Sequence, residues 1–205
     1  MIKAWGTLFV HLKGMQKYMI AATLVFIAGV VLGYADSGQF EAILQGQLEG
    51  LQKLARDIAE KEHSMIWLFG YILLNNTIKS VLIVFAGVFF GVLPLFFLLI
   101  NGMVIGYLAQ LQAEAGHLGL FLKGIIPHGI LEIPAVILAC AYGIKLGAIM
   151  GKGLLGAGSG RGRAAFVAEL QHFMRVALPL IALLVVSLLV AAIIESFITP
   201  LIMKL

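Results

Sequence analysis

Two runs of the chain, Tyr18 to Tyr34 and Val176 to Ile194, hold no charged residue at all. An α-helix rises about 1.5 Å per residue, so about 20 apolar residues cross the roughly 30 Å hydrocarbon core of a bilayer. Each run therefore predicts a membrane span. Between Ser64 and Ala113 the only charge is Lys79. As one helix this stretch would reach about 75 Å, more than twice the core, so it must fold into two spans. Pro94, after "GVFFGVL", is the expected breaker near the turn, with a proline kink inside one span as the alternative. A fourth apolar segment runs from Lys123 to Met150. The pattern predicts five spans near residues 17–35, 65–91, 94–112, 124–150 and 175–199.

A different period governs residues 38–62. Apolar residues at 44, 48, 51, 55 and 58 alternate four and three apart along one face, the signature of an amphipathic helix. It is expected in the outer membrane interface or against the bundle, and a seam for a partner or a second copy is the alternative. The fold class is thus all-α: a polytopic transmembrane bundle of about five spans, one of them broken by prolines, plus this interfacial helix. Residues 1–205 form a single integral membrane domain.

Composition agrees, since only 12% of the 205 residues are charged against about 25% in soluble domains. The net charge of +4 matters through its placement. Lys3, Lys13 and Lys17 precede the first span, and Lys152, Arg161, Arg163 and Arg175 lie between the fourth and fifth. Both groups are cytoplasmic if the amino terminus is inside, which leaves the carboxyl terminus outside and the acid-rich segments 36–63 and 114–123 on the outer side. The expected location is the cytoplasmic membrane. The first apolar run resembles a signal anchor more than a cleavable signal peptide. A lone Cys140 permits no intrachain disulfide.

"GKGLLG" at 151–156 matches the dinucleotide pattern G-x-G-x-x-G, but a membrane helix precedes it and no parallel-sheet pattern surrounds it. Residues 151–165 read instead as a flexible, basic, glycine-rich cytoplasmic loop that touches anionic lipid. Nothing in the charge pattern requires nucleic acid.

The polar residues inside the spans carry the chemistry, because such groups are expensive in a membrane. Glu132 lies nine residues beyond Lys123, and Glu195 nine before Lys204, so both sit about 14 Å from the same surface. His128 and Thr199, five residues from the same lysines, lie about 7 Å in. Lys79, Asn75, Asn76 and Asn101 can approach this zone. His128 and Glu132 share a helix face at i and i+4. Pro127 can start that helix, Gly129 loosens it, and Pro134 frees the carbonyl of Ile130; Pro200 is a further breaker after Glu195. Three uses of the cluster stay open. It can lock helices together through hydrogen bonds, form a transport or conduction site, or bind a metal for hydrolysis through His128, Glu132 and Glu195. No H-E-x-x-H, second nearby histidine or clear serine nucleophile supports the last, no catalytic residue is assigned, and a bound metal ion is the only cofactor the residues suggest.

"NN" at 75–76, "NGMVIG" at 101–106, "PHGILEIPA" at 127–135 and "IIESFITP" at 193–200 together resemble the stage II sporulation protein M family. The resemblance runs in order over nearly the whole chain. It implies a five-span membrane protein acting beside peptidoglycan-degrading partners in septal wall thinning during sporulation, with the hydrolytic chemistry in the partners. The expected function is a non-enzymatic scaffold that positions envelope-remodelling proteins. The alternative is a transporter or channel using Glu132 and Glu195, and the third reading is an intramembrane hydrolase. Expected partners are membrane lipids and peptidoglycan-remodelling membrane proteins; glycine-lined faces suit a homodimer, with monomers and higher oligomers also open.

Overall fold

A computed structural model of the protein describes residues 12, 14–35 and 40–203. Lys3, Lys13, Asp36 and Lys204, which enter the charge and depth arguments, lie outside the described residues. The described elements are α1 (Gln16–Ala35), α2 (Glu41–Ala59), α3 (Ser64–Ala86), α4 (Val92–Glu114), α5 (Leu118–Gly156), α6 (Gly160–Ile193), a π-helical turn at Ile194–Ile198 and α7 (Thr199–Ile202). Among the described residues, α1, α3, α4, α5 and α6 with its continuation to Ile202 are long and apolar enough to cross a membrane.

Helix α5 is the centre of the bundle, packing against α1, α3, α4 and α6. Its middle turns are correspondingly buried, from Ala135 through Ala139, Cys140, Tyr142 and Leu146. Outward-facing Leu24, Leu74, Leu82 and Leu178 stay exposed, as lipid-facing side chains should. Lipid is as apolar as leucine, so the spans gain little from hiding apolar surface and rely on close approach instead. Glycines supply it. A Cβ on Gly87 would stand 2.7 Å from the Cα of Gly143, joining α3 to α5, and one on Gly102 would stand 3.1 Å from the Cα of Gly29, joining α4 to α1. Lys61 lies over the Trp67 ring at 4.0 Å and Lys17 over Tyr18 at 5.0 Å, cation–aromatic pairs of the kind that anchor spans at membrane interfaces.

Four details differ from expectation. The turn between α3 and α4 is made by residues 87–91, not by Pro94. Phe90 (φ 55°) and Gly91 (φ 77°) reverse the chain in left-handed conformation, and Pro94 sits in the first turn of α4, where a missing N–H costs nothing. Helix α5 is not broken: it passes through Pro127, Gly129 and Pro134 in one piece. Each proline removes only one ladder bond, leaving the carbonyl four residues back, and the helices around α5 hold it in line. Pro200 likewise breaks nothing but opens α7.

The last difference concerns residues 151–165, which are mostly helical. Helix α5 continues to Gly156 and α6 starts at Gly160, capped by Ser159, whose hydroxyl accepts from the Gly162 N–H at 3.0 Å. A Cβ on Gly162 would meet the Cα of Gly156 at 2.8 Å, so the glycines serve a tight helical hairpin rather than a flexible loop. Lys152 and Glu169 close it with a 3.0 Å bridge.

Helix α2 packs against the bundle. Leu44 is buried with Met103 and Tyr107 of α4, and Ile58 is buried toward the other end. The outer face of α2 is polar, with Gln45, Gln47, Glu49, Lys53 and Asp57 exposed.

Candidate functional site

The helical period places His128 and Glu132 on one face of α5, and the bundle turns that face toward α3 and the π-turn. Asn76 of α3 donates from Nδ2 to Glu132 Oε1 at 2.8 Å, and Asn75 Nδ2 donates to Asn76 Oδ1 at 3.2 Å. Glu195 arrives from the far end of the chain. Its Oε2 is 4.0 Å from His128 Nε2, with side-chain exposures of 31% and 15%, so the pair is half-enclosed yet too far apart for a hydrogen bond. Ligand atoms of His128, Glu132 and Glu195 all lie within 4.8 Å of one another. Equal depth, counted along two separate helices, has become a meeting of two carboxylates.

The π-turn is what brings Glu195 here. The Thr199 N–H donates to the Ile194 carbonyl, five residues back instead of four. Pro200 offers no N–H, and its ring crowds the carbonyl four residues earlier, which disturbs the ladder where it widens by one residue.

These side chains surround a cavity of about 410 Å³, the size of a small-solute site. Asn75, Asn76, Asn101, His128, Glu132 and Glu195 supply its polar lining, and Gly129 lies among them. Asn101 turns its amide to the Phe97 carbonyl at 2.7 Å, one turn back. The apolar part of the lining includes Leu54, Ala55 and Ile58, so α2 forms the cavity's cover. Sequence reasoning gave α2 its apolar face but not its target, because periodicity says which residues are buried and not against what. Ile72 of α3 and Val104 of α4 complete the apolar wall.

Two expected members stand apart. Lys79 is exposed and outside the lining, and reaches Glu132 only through longer-range electrostatics. Thr199 is buried, but its hydroxyl has no hydrogen-bond partner among the described residues and does not line the cavity. Ser196 Oγ, Thr77 Oγ1 and His128 Nδ1 are also buried without a hydrogen-bond partner among the described residues. Farther along α5 the packing is tight: Gly143 and Gly147 press on α3, the turn and Pro94, and Tyr142 packs on Phe173 with ring centroids 4.5 Å apart.

The described chain offers half-enclosed acid and imidazole groups, amides to orient them, and open space beside them. Such a set can hold a cation, pass a proton between Glu132, His128 and Glu195, or bind a small polar solute.

Residues 22–200 match the family described as Stage II sporulation protein M. An uncharacterized protein of Methanocaldococcus jannaschii is 27% identical over 192 residues, which covers 90% of this chain and 82% of that relative. No solved structure matches. With five membrane-capable helices and a match that begins in α1 and ends beside Pro200, the chain is a multi-pass membrane protein and belongs to the Stage II sporulation protein M family.

Proposed function

We propose that this protein binds a cation or small polar solute in the cavity between α2, α3, α4, α5 and the π-turn, and carries it across the membrane by alternating access. The observation that carries this reading is the 4.0 Å gap between His128 and Glu195 beside an open space of about 410 Å³. A cluster whose work is to lock helices should be packed and mutually satisfied, since half-satisfied polar groups in a low-dielectric interior cost stability. The Asn75–Asn76–Glu132 chain and the Asn101 amide fit that description, whereas His128 and Glu195 do not. The remaining groups face room, and an irregular turn at membrane depth lines it, as in transporters. The close glycine contacts of α5 with α3 and the turn at 87–91 fit a carrier better than a continuous pore.

Purified protein in liposomes tests it. Proton and cation flux should exceed that of empty vesicles and fall at least tenfold in Glu132→Gln and Glu195→Gln variants that still elute as folded protein. Flux equal to that of empty vesicles across a panel of cations and small solutes would sink the carrier reading.

A second reading is favoured by the polar outer face of α2: a scaffold on which envelope-remodelling proteins dock, the role that the family resemblance implies. Charge reversals at Lys53 and Asp57 that abolish partner capture while leaving flux untouched would favour the scaffold.

A further inference from the structure

We infer that His128, Glu132 and Glu195 form a binding site for a first-row divalent transition ion, with zinc the best fit. The inference rests on the cavity's being a binding site, as proposed above, and names what it holds.

Three donors of the right kinds converge from two elements. One imidazole nitrogen and two carboxylate oxygens lie within 4.8 Å of one another, and the closest documented pair, His128 Nε2 and Glu195 Oε2, is 4.0 Å apart. In a tetrahedral zinc site with bonds of about 2.0–2.2 Å, neighbouring ligand atoms are about 3.4 Å apart. Closing this triangle on an ion therefore asks each side chain to move by about 1 Å or less, a rotamer adjustment into free space. A direct hydrogen bond would have drawn the pair closer than 3.2 Å or so and left no room.

The surroundings match what such ligands need. Asn76 fixes Glu132 through one oxygen, and the carboxylate has a second to give. Asn75 fixes Asn76 in turn. Hydrogen-bonded outer groups of this kind orient ligating carboxylates and set their affinity. On His128, Nε2 is the nitrogen that faces Glu195, which leaves it as the ring atom available to an ion. The two carboxylates have no described lysine or arginine within ion-pair distance, so a divalent ion would supply the charge they lack. An imidazole among the donors argues against magnesium and calcium, which prefer all-oxygen sets. Three protein ligands leave the fourth position open to the cavity.

The test uses full-length protein in detergent, purified without a histidine tag and stripped with a chelator. Added Zn²⁺ should remain at about one ion per chain after gel filtration and raise the thermal midpoint, with Mg²⁺ doing neither. Co²⁺ used as an optical probe should give the visible bands of a low-coordinate N,O site. Glu195→Gln and His128→Ala should each weaken Zn²⁺ binding at least tenfold, and Asn76→Leu by a smaller factor. Zn²⁺ below a tenth of an ion per chain would overturn the inference, as would binding unchanged in both ligand variants, which would place the ion on another histidine. If a variant fails to fold, the Co²⁺ spectrum of the unaltered protein decides: spectra of fully hydrated ion overturn the site. Flux dependent on Glu132 without metal binding would leave the carrier reading standing and remove the metal. Stoichiometric metal without flux would do the reverse.

Discussion

Asn76 and Glu132, 56 residues apart in sequence, are joined by a 2.8 Å hydrogen bond that ties α3 to α5 at the depth of the cavity. The bond removes one carboxylate oxygen from competition with lipid and water, so its loss leaves an unpaired polar group. Hydrogen bonds between membrane helices are worth about 1 kcal/mol. Asn76→Leu is expected to lower the thermal midpoint in detergent by a few degrees. Asn76→Asp, which sets a second acid against Glu132, should do more harm than leucine. Equal midpoints for leucine variant and parent would show the bond to be idle.

The glycine seams give the opposite kind of prediction. A methyl on Gly87 would stand 2.7 Å from the Cα of Gly143, and backbone cannot swing aside as a side chain can. Gly87→Ala is expected to destabilise by about 1–3 kcal/mol, the range for overpacking. On α2, Gly46 has open space around its missing Cβ, and there alanine should stabilise by about 0.5–1 kcal/mol through helix propensity. Differential scanning of the two variants side by side reads the contrast. A harmless Gly87→Ala would mean that α3 and α5 do not pack as closely as described.

Sidedness follows from the span count. With α1 before it, α2 lies at the opposite end of the bundle from the tip at residues 157–159. In a Cys140→Ser background, cysteines placed at Gln47 and Ser159 are expected to react with an impermeant thiol reagent from opposite sides of sealed vesicles, Gln47 from outside. Labelling of both from one side would contradict five crossings.

Much of this architecture was readable from residue order. Charge-free runs point to the spans because hydrocarbon tolerates little else, and the equal spacing of Glu132 and Glu195 from flanking lysines suggests one depth for both, though not that the two carboxylates meet. What escaped depends on tertiary context. Nothing in the identity of Phe90 announces a left-handed backbone, and Pro127 and Pro134 look like breakers until neighbouring helices are there to hold α5 straight. The glycines at 156 and 162 read as flexibility when unpartnered, although they are the contact between two helices. The π-turn was hidden for a subtler reason: Pro200 marks a disturbed ladder, but whether the chain bends, stops or widens is decided by what the freed turn can reach.

Beyond the span expected at 124–150, Lys152 and Glu169 bridge the helical tip at 3.0 Å, and the hydrogen bond and charge of Glu169 hold the Lys152 ammonium above the usual lysine range. A raised lysine value contributes stability that is complete below the ordinary lysine range and is lost as pH rises through the raised value. The bridge should therefore add no slope to stability between about pH 6 and 9. Being exposed, it is worth less than about 0.5 kcal/mol, so Lys152→Ala is expected to shift the midpoint by a degree or so at low salt and not at all in high salt. A large shift would mean that the tip depends on the bridge.

The decisive stability test concerns the two acids themselves. If Glu132 and Glu195 only lock helices, replacing either with glutamine should weaken the bundle. Their positions argue otherwise. Two like charges about 5 Å apart repel by about 3 kcal/mol at an effective dielectric near 20, and no described cation stands between them. Asn76 can donate to a glutamine oxygen as it does to the carboxylate, so Glu132→Gln removes charge while leaving the bond to α3. In chelator-treated protein at alkaline pH, each single glutamine variant is expected to melt above the parent. The double variant should gain less than the sum, because the first substitution already removes the repulsion the second would relieve. Adding Zn²⁺ should reverse the order, raising the parent above both variants. Single variants that melt lower with or without metal would mean that the carboxylates hold the bundle together by themselves, and the cavity would then be a consequence of the packing rather than its purpose.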